Sequence, residues 1–363
     1  MSKENVASGK KRKGAGCLRW LGRVVIGGVI LLLGLAIIGA IYQGIASARD
    51  AKLYKPIDQM VDVNGIQMRL DCRGSGSPTV ILEAGGQSSS IVWAQIQDEV
   101  AGFTRVCSYD RAGYGWSDST HETMYPDQVA DMLHTLLENG GEAPPYLMVG
   151  HSFGGIYIRI FTEKYPDEVV GMVLVDSSHE AQSQQAPPEI TKSPDYLKTQ
   201  KAGTTSLQVL KLTAPIGLLR IFKMMEPAVE SLQLPDQERG PALAELNRTS
   251  FVGAYARESD MMTIYSGQPK KLGDMPLIVL SQKMDLIDMQ EKYELYPPAI
   301  QSLMTTELMQ REVDTYNENQ NELTGLSTRG KQIVVEDSGH FIQIDQPQVV
   351  IDAIREVFEQ VSR

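Results

Sequence analysis

The chain has 363 residues, 42% of them hydrophobic, which is enough for one large domain with an insertion and too apolar for wholesale disorder. Its formal net charge of −11 excludes a nucleic-acid partner gripped by a basic face, since phosphate binding needs an excess of Lys and Arg. The cysteines and histidines show no zinc-ligand spacing, and neither a metal nor an organic cofactor is implied.

The acidity is unevenly spread. Residues 1–23 form a basic tail, with Lys3, Lys10, Lys11, Arg12, Lys13, Arg19 and Arg23 against Glu4. Val24 to Tyr42 then runs without a charge, VVIGGVILLLGLAIIGAIY. At 1.5 Å per residue this run spans roughly 28 Å, about the thickness of a hydrocarbon core. The spacing predicts a single-pass transmembrane signal-anchor over 24–43. Basic residues before it place the N-terminus in the cytoplasm and the rest outside the cell membrane. The rival is a signal peptide cleaved after Ala48 at the small-x-small run Ala46-Ser47-Ala48, giving a secreted protein. The length of the apolar run favours the anchor. Cys17 precedes that run, the wrong place for a lipoprotein cysteine.

Residues 44–59 read as a polar linker. The body, 60–179, opens on a hairpin: Asp58 to Val63, an Asn64-Gly65 turn, then Ile66 to Cys72. Buried strands follow at Thr79–Leu82, Thr104–Tyr109, Tyr146–Val149 and Val169–Val175, separated by helices over Ile91–Ala101, from Pro126 to Gly140-Gly141, and over Phe153–Tyr165. The stretch 180–274, rich in Met, Gln, Leu and Pro, has no strand-like run and reads as an inserted helical cap. The rest, 275–363, carries strands at Leu277–Leu280 and Gln332–Val335 and a closing helix from Pro347. Strands apolar along their whole length, alternating with helices, imply an α/β fold with a mostly parallel sheet of about eight strands covered on both faces.

Chemistry concentrates at Gly150-His151-Ser152-Phe153-Gly154. A serine between glycines, after an apolar strand and before a helix, has the spacing of a nucleophile elbow. A serine hydroxyl needs a neighbouring base. His134 sits on a helix and reads as structural, and His121 lies in a polar loop. His151 points away from its neighbour, and His179 is a minor candidate at the site entrance. His340 fits best, since it follows the strand ending at Val335, and the C-terminal ends of parallel strands share one edge. The base in turn needs a carboxylate. Asp285, just beyond Leu277–Leu280, is the expected acid, giving the chain order Ser152, Asp285, His340. Asp176, at the end of the preceding strand, and Asp288 compete with it. The expected oxyanion donors are the N–H groups of Phe153 and Gly86, with Gln87 second to Gly86.

These features together resemble the α/β-hydrolase superfamily over Met60 to Arg363: the run Gly150–Gly155, Asp285, Asp337-Ser338-Gly339-His340-Phe341, and Tyr109-Asp110-Arg111-Ala112-Gly113-Tyr114-Gly115-Trp116-Ser117. The resemblance implies structural rather than catalytic roles for Asp110 and Arg111. It also implies that the second and fourth strands are neighbours, and on that basis Cys72 and Cys107 are expected to form a disulfide. Many relatives have His-Gly where this chain has Ala84-Gly85. Serine at the elbow argues against the dehalogenase branch, which uses aspartate.

The reading is a membrane-anchored serine hydrolase acting on a small-molecule acyl substrate, an ester above all. The alternatives are an aminopeptidase, amidase or acyltransferase with the same triad, or a non-catalytic binding protein on this fold. Glu226 and Glu258 of the cap are candidate anchors for a substrate ammonium, or solvated helix charges. Met224, Met225, Met261 and Met262 are either an acyl pocket or core packing.

Overall fold

The computed structural model describes residues 14–54, 59–294 and 296–362. Eight strands form one sheet in the order β1-β2-β4-β3-β5-β6-β7-β8. They are β1 Gln59–Val63, β2 Ile66–Arg73, β3 Thr79–Glu83, β4 Val106–Tyr109, β5 Tyr146–His151, β6 Val169–Val175, β7 Leu277–Gln282 and β8 Gly330–Val335. The hairpin β1–β2 is antiparallel, as is β2–β4, while β3 to β8 run parallel. The α/β-hydrolase fold expected from the sequence is present.

Why the central strands lack polar alternation is visible in where their side chains go. Ile81, Met148, Met172, Leu174, Leu277 and Val279 enter a core on one face, against α3 (Pro126–Gly140) and α4 (Gly154–Lys164). Val80, Leu82, Leu147, Val149, Val173, Val175, Ile278 and Leu280 enter the core on the other face. There they meet α2 (Ala94–Ala101) and the closing helix Pro347–Val361. The two-residue period therefore sorts apolar residues between two covered faces rather than between core and water. Register places Cys72 directly opposite Cys107 across β2 and β4, and the two form a disulfide.

The helices between β6 and β7 include Pro194–Thr213, Asp236–Leu246 and Thr249–Ile264. Two features differ from expectation. The N-terminal helix α1, Gly14–Tyr54, continues past the apolar run, so residues 44–54 of the expected linker are helical. Residues 1–13 of the basic tail and residues 55–58 lie outside the described residues. Secondly, the segment after β7, to which the sequence reading assigned no element, forms helices at Leu286–Glu294 and Thr306–Thr324. The second of these buries Asn319 and Gln320 beside Leu308, Met309, Val313 and Leu323. Polar residues on the inward face hide the apolar period that would otherwise reveal it.

Candidate active site

β5 turns into α4 within three residues, and Ser152 sits at the turn with φ 51°, a left-handed conformation costly for a side-chain-bearing residue. Surrounding bonds hold it there. The Ser152 N–H donates to Val175 O at 3.0 Å, and its carbonyl accepts from Gly155 and Ser178 N–H at 3.0 Å. The turn is possible only where backbones can nearly touch. A Cβ on Gly154 would lie 2.5 Å from the Ala84 carbonyl oxygen, and one on Gly150 would lie 2.9 Å from the Gly154 carbonyl carbon. Both glycines are thus fixed by close approach.

His340 follows β8, and its ring Nδ1 lies 2.6 Å from Asp176 Oδ2. Nδ1–H donating to a carboxylate leaves Nε2 unprotonated, the tautomer a base toward Ser152 requires. The expected acid Asp285 is not there. Its carboxylate is surface-exposed and ion-paired to Lys283 at 2.9 Å, and it accepts Ile287 and Asp288 N–H at 2.8 and 3.1 Å, capping the helix Leu286–Glu294. The Lys283 contact and those two N–H bonds hold its carboxyl below the usual range. Asp288 accepts the Asp285 N–H at 2.7 Å. Sequence distance beyond β7 suggested Asp285, but β7 extends to Gln282, and the loop then turns outward into a helix.

Asp176 is instead 3% exposed at the C-terminal end of β6, with φ 41°. Four groups converge on its carboxylate: His340 Nδ1, Gln282 N–H at 3.2 Å, Gln282 Nε2 at 3.1 Å and the Tyr316 hydroxyl. Burial alone would raise its pKa. The hydrogen bond and charge of His340, then Tyr316 and the Gln282 N–H, outweigh burial and hold it below the usual carboxylate range. Gln282 and Tyr316 were not singled out from the sequence. Their signal was weak, because Tyr316 lies in the helix whose period is masked. Of the side-chain-bearing residues with positive φ, Gln87, Ser152, Asp176 and Asp337 all fall on loops of this site. Strain gathers where geometry is over-determined.

The remaining histidines separate cleanly. His151 is fully buried, and its Nε2 lies 2.9 Å from the His340 carbonyl oxygen, pinning the loop that carries His340. Burial first, then the nearby His340, pushes its pKa down to about 3, so it stays neutral. His134 stacks on Tyr165 with ring centroids 3.9 Å apart and reaches Glu168. His179 is buried beside Glu322, and His121 is exposed.

The loop after β3 approaches the elbow from the other side. A Cβ on Gly86 would lie 3.3 Å from Phe153 Cβ, so the two expected oxyanion donors are neighbours. Neither the Gly86 nor the Phe153 N–H donates a hydrogen bond among the described residues. The Gln87 N–H, the second choice, is engaged by Glu258 Oε2 at 2.6 Å. Glu258 is therefore neither a solvated charge nor a free ammonium anchor. It is 8% exposed, accepts the Tyr157 hydroxyl at 2.6 Å, and lies 3.2 Å from Arg111. Arg111 also donates to Glu83 at 2.7 Å and to the carbonyls of Ala84 and Gly85, both at 2.8 Å. Asp110 accepts the Ser90 and Trp116 N–H groups, each at 3.0 Å. Burial pushes the Glu83 carboxyl up to about 7, against the Arg111 charge and the Tyr109 hydroxyl. Glu226 is partly exposed and pairs with Lys223.

Met262 sulfur would lie 2.6 Å from a Cβ on Gly86, over the loop after β3, whereas Met261 is fully buried in core. Met225 packs with Ala214 and Leu219, and Met224 is exposed. A cleft of about 810 Å³ opens beside His340, lined by Asp176, His179, Met284, Met289 and Tyr316 among others. Among the described residues, the thiol and carboxylate atoms grouped closely enough for a metal are those of Cys72, Cys107 and Glu142, within 4.8 Å of one another. There the sulfurs are bonded to each other and Glu142 pairs with Arg105 at 2.5 Å, so no thiolate is free.

The model of the alpha/beta hydrolase family matches residues 80–353. The chain belongs to this family. It is similar to the uncharacterized protein YbdG of Bacillus subtilis, 27% identical over 155 residues, which cover 42% of the chain and 47% of YbdG. The chain therefore spans less than half of that relative's length. It is also similar to an AB hydrolase superfamily protein of Gibberella zeae, 25% identical over 78% of the chain and 87% of that protein. Among solved structures it resembles a thermophilic esterase from Thermogutta terrifontis, with a TM-score of 0.54 and 21% identity over 84% of the chain and 98% of the esterase. At that identity the likeness is one of fold.

Proposed function

We propose that this alpha/beta hydrolase is a membrane-anchored serine hydrolase that cleaves carboxylic esters through an acyl-enzyme on Ser152. The observation that carries the reading is the 2.6 Å contact of His340 Nδ1 with Asp176, at the sheet edge where β5 delivers Ser152. His340 Nε2 takes the hydroxyl proton as the Ser152 oxygen attacks the substrate carbonyl carbon. The Phe153 and Gly86 N–H groups hold the oxyanion, and the imidazolium, steadied by Asp176, returns the proton to the departing alkoxide. Water, deprotonated by His340, then releases the acid. The Ser152 hydroxyl makes no hydrogen bond among the described residues, and in this reading its bond to Nε2 forms when substrate is bound.

An ester is favoured over an amide because an alkoxide departs more easily than an amine. The engagement of Glu258 by Arg111, Tyr157 and Gln87 also removes the cap carboxylate that an aminopeptidase would use for an ammonium group. A retained anchor is supported by contacts that cleavage after Ala48 would sever. Gln43 Nε2 donates to Asn247 O at 2.9 Å, and a Cβ on Gly39 would strike the Ile216 carbonyl oxygen at 2.3 Å.

The test is hydrolysis of a short-chain p-nitrophenyl ester. Wild-type protein is expected to release p-nitrophenol, and Ser152→Ala to lose at least about 10⁴-fold in kcat while remaining folded. Equal release by both proteins would remove the serine from the mechanism.

A further inference from the structure

We infer that the cap segment Leu212–Met224 is a lipid-docking surface that lies in the headgroup layer of the same bilayer that α1 crosses. The inference rests on the proposed reading of α1 as the anchor, and it follows from where α1 touches the cap. Gly39 belongs to the charge-free run, about 4–5 Å, or one helical turn, inside its Tyr42 end. The turn Ala214–Gly217 packs directly on it. A Cβ on Gly217 would lie 3.2 Å from both Gly39 O and Tyr42 Cδ1, and one on Gly39 would meet Ile216 O at 2.3 Å. A helix spanning a bilayer with Val24–Tyr42 therefore carries Ile216 to the hydrocarbon boundary.

The mounting is extended. Arg220 donates to Gln43 Oε1 at 3.0 Å and pairs with Asp50 at 2.6 Å, and a Cβ on Gly240 would lie 2.9 Å from the Tyr54 hydroxyl. Contacts from residue 39 to residue 54 cover about 22 Å of helix, which sets the cap's orientation to the membrane normal.

Exposed apolar side chains flank the packed turn in the sequence. Leu212 is 76% exposed and Phe222 69%, with Ile221 and Met224 also exposed. Side chains this apolar, gathered on one short stretch, are costly in water and suited to the acyl boundary. Lys211 and Lys223 are exposed at either end of the stretch, Lys223 beside Glu226, and in the bilayer their ammonium groups would meet headgroup phosphates. The occupant is thus the lipid surface itself, and the cap would meet amphiphilic molecules there.

The full chain placed in phosphatidylcholine–phosphatidylglycerol nanodiscs gives a direct test. Phe222→Trp adds a fluorophore at the patch, and Val334→Trp, on exposed β8, serves as the distant control. With bromine-labelled acyl chains, the emission added by Trp at 222 is expected to fall at least two-fold, and that added at 334 to stay unchanged. Leu212→Trp repeats the measurement should the first variant misfold. Unquenched emission at both patch positions, in protein that resists carbonate extraction from liposomes, overturns the docking surface and leaves the anchor intact. Release of the protein by carbonate overturns the anchor, and with it this inference.

Discussion

Asp176→Asn is expected to lower kcat for ester hydrolysis by about 10⁴-fold with little change in KM, because asparagine can hold His340 only in the wrong tautomer. Its amide N–H faces Nδ1, which then accepts, and Nε2 carries the proton it should be free to take. Asp285→Asn is expected to leave kcat within about two-fold, since Asn caps a helix about as well as Asp and an exposed ion pair contributes ~0–1 kcal/mol. The pair of variants discriminates sharply: both carboxylates follow a core strand, yet only one touches His340. A larger loss in Asp285→Asn than in Asp176→Asn would return the acid to the end of β7.

Arg111→Met is expected to cost about 3–5 kcal/mol of stability, the usual consequence of leaving buried charges without their partner. Arg111 is 6% exposed and is the cation between Glu83 and Glu258, and it also satisfies the Ala84 and Gly85 carbonyls of the loop after β3. The loss should grow with pH. Without the guanidinium, which opposes the effect of burial, the folded-state pKa of Glu83 rises further above its wild-type value of about 7. Near pH 5 the folded wild type and the folded variant both keep Glu83 protonated, so the pH-linked part of the loss is small. Toward pH 8 the unfolded chain ionises freely while the folded one resists, so stability falls. Urea denaturation of both proteins at pH 5 and pH 8 checks this. A loss below about 1 kcal/mol, equal at both pH values, would mean that Arg111 has no such role.

Much of the architecture was legible because strongly patterned segments leave few choices. Val169–Val175 is apolar throughout and is β6 as read, and Pro126 with Gly140-Gly141 marks both ends of α3. The elbow was legible for a different reason: its glycines answer to backbone contacts that no other residue survives, so the motif is the geometry written out. The acid was not. Asp176 and Asp285 both follow an apolar strand, and choosing between them needs the length of β7 and the direction of the loop after it, which side-chain pattern does not encode. Glu258 was misjudged because a carboxylate on a cap helix looks the same in sequence whether water or Arg111 surrounds it. Its role appears only once residues 111 and 258, far apart in the chain, are brought to 3.2 Å. The disulfide expectation rested on strand order taken from the family resemblance, and the sheet has that order.

The most direct examination of the central claim is covalent trapping with a fluorophosphonate, which phosphonylates an activated serine irreversibly and needs no knowledge of the natural substrate. Mass mapping of the labelled, full-length protein is predicted to find the adduct on the peptide containing Ser152. It should be absent in Ser152→Ala and form far more slowly in Asp176→Asn. An unmodified Ser152 in protein that still hydrolyses esters, or an adduct that survives Ser152→Ala, would contradict a nucleophile raised on the elbow and driven by His340.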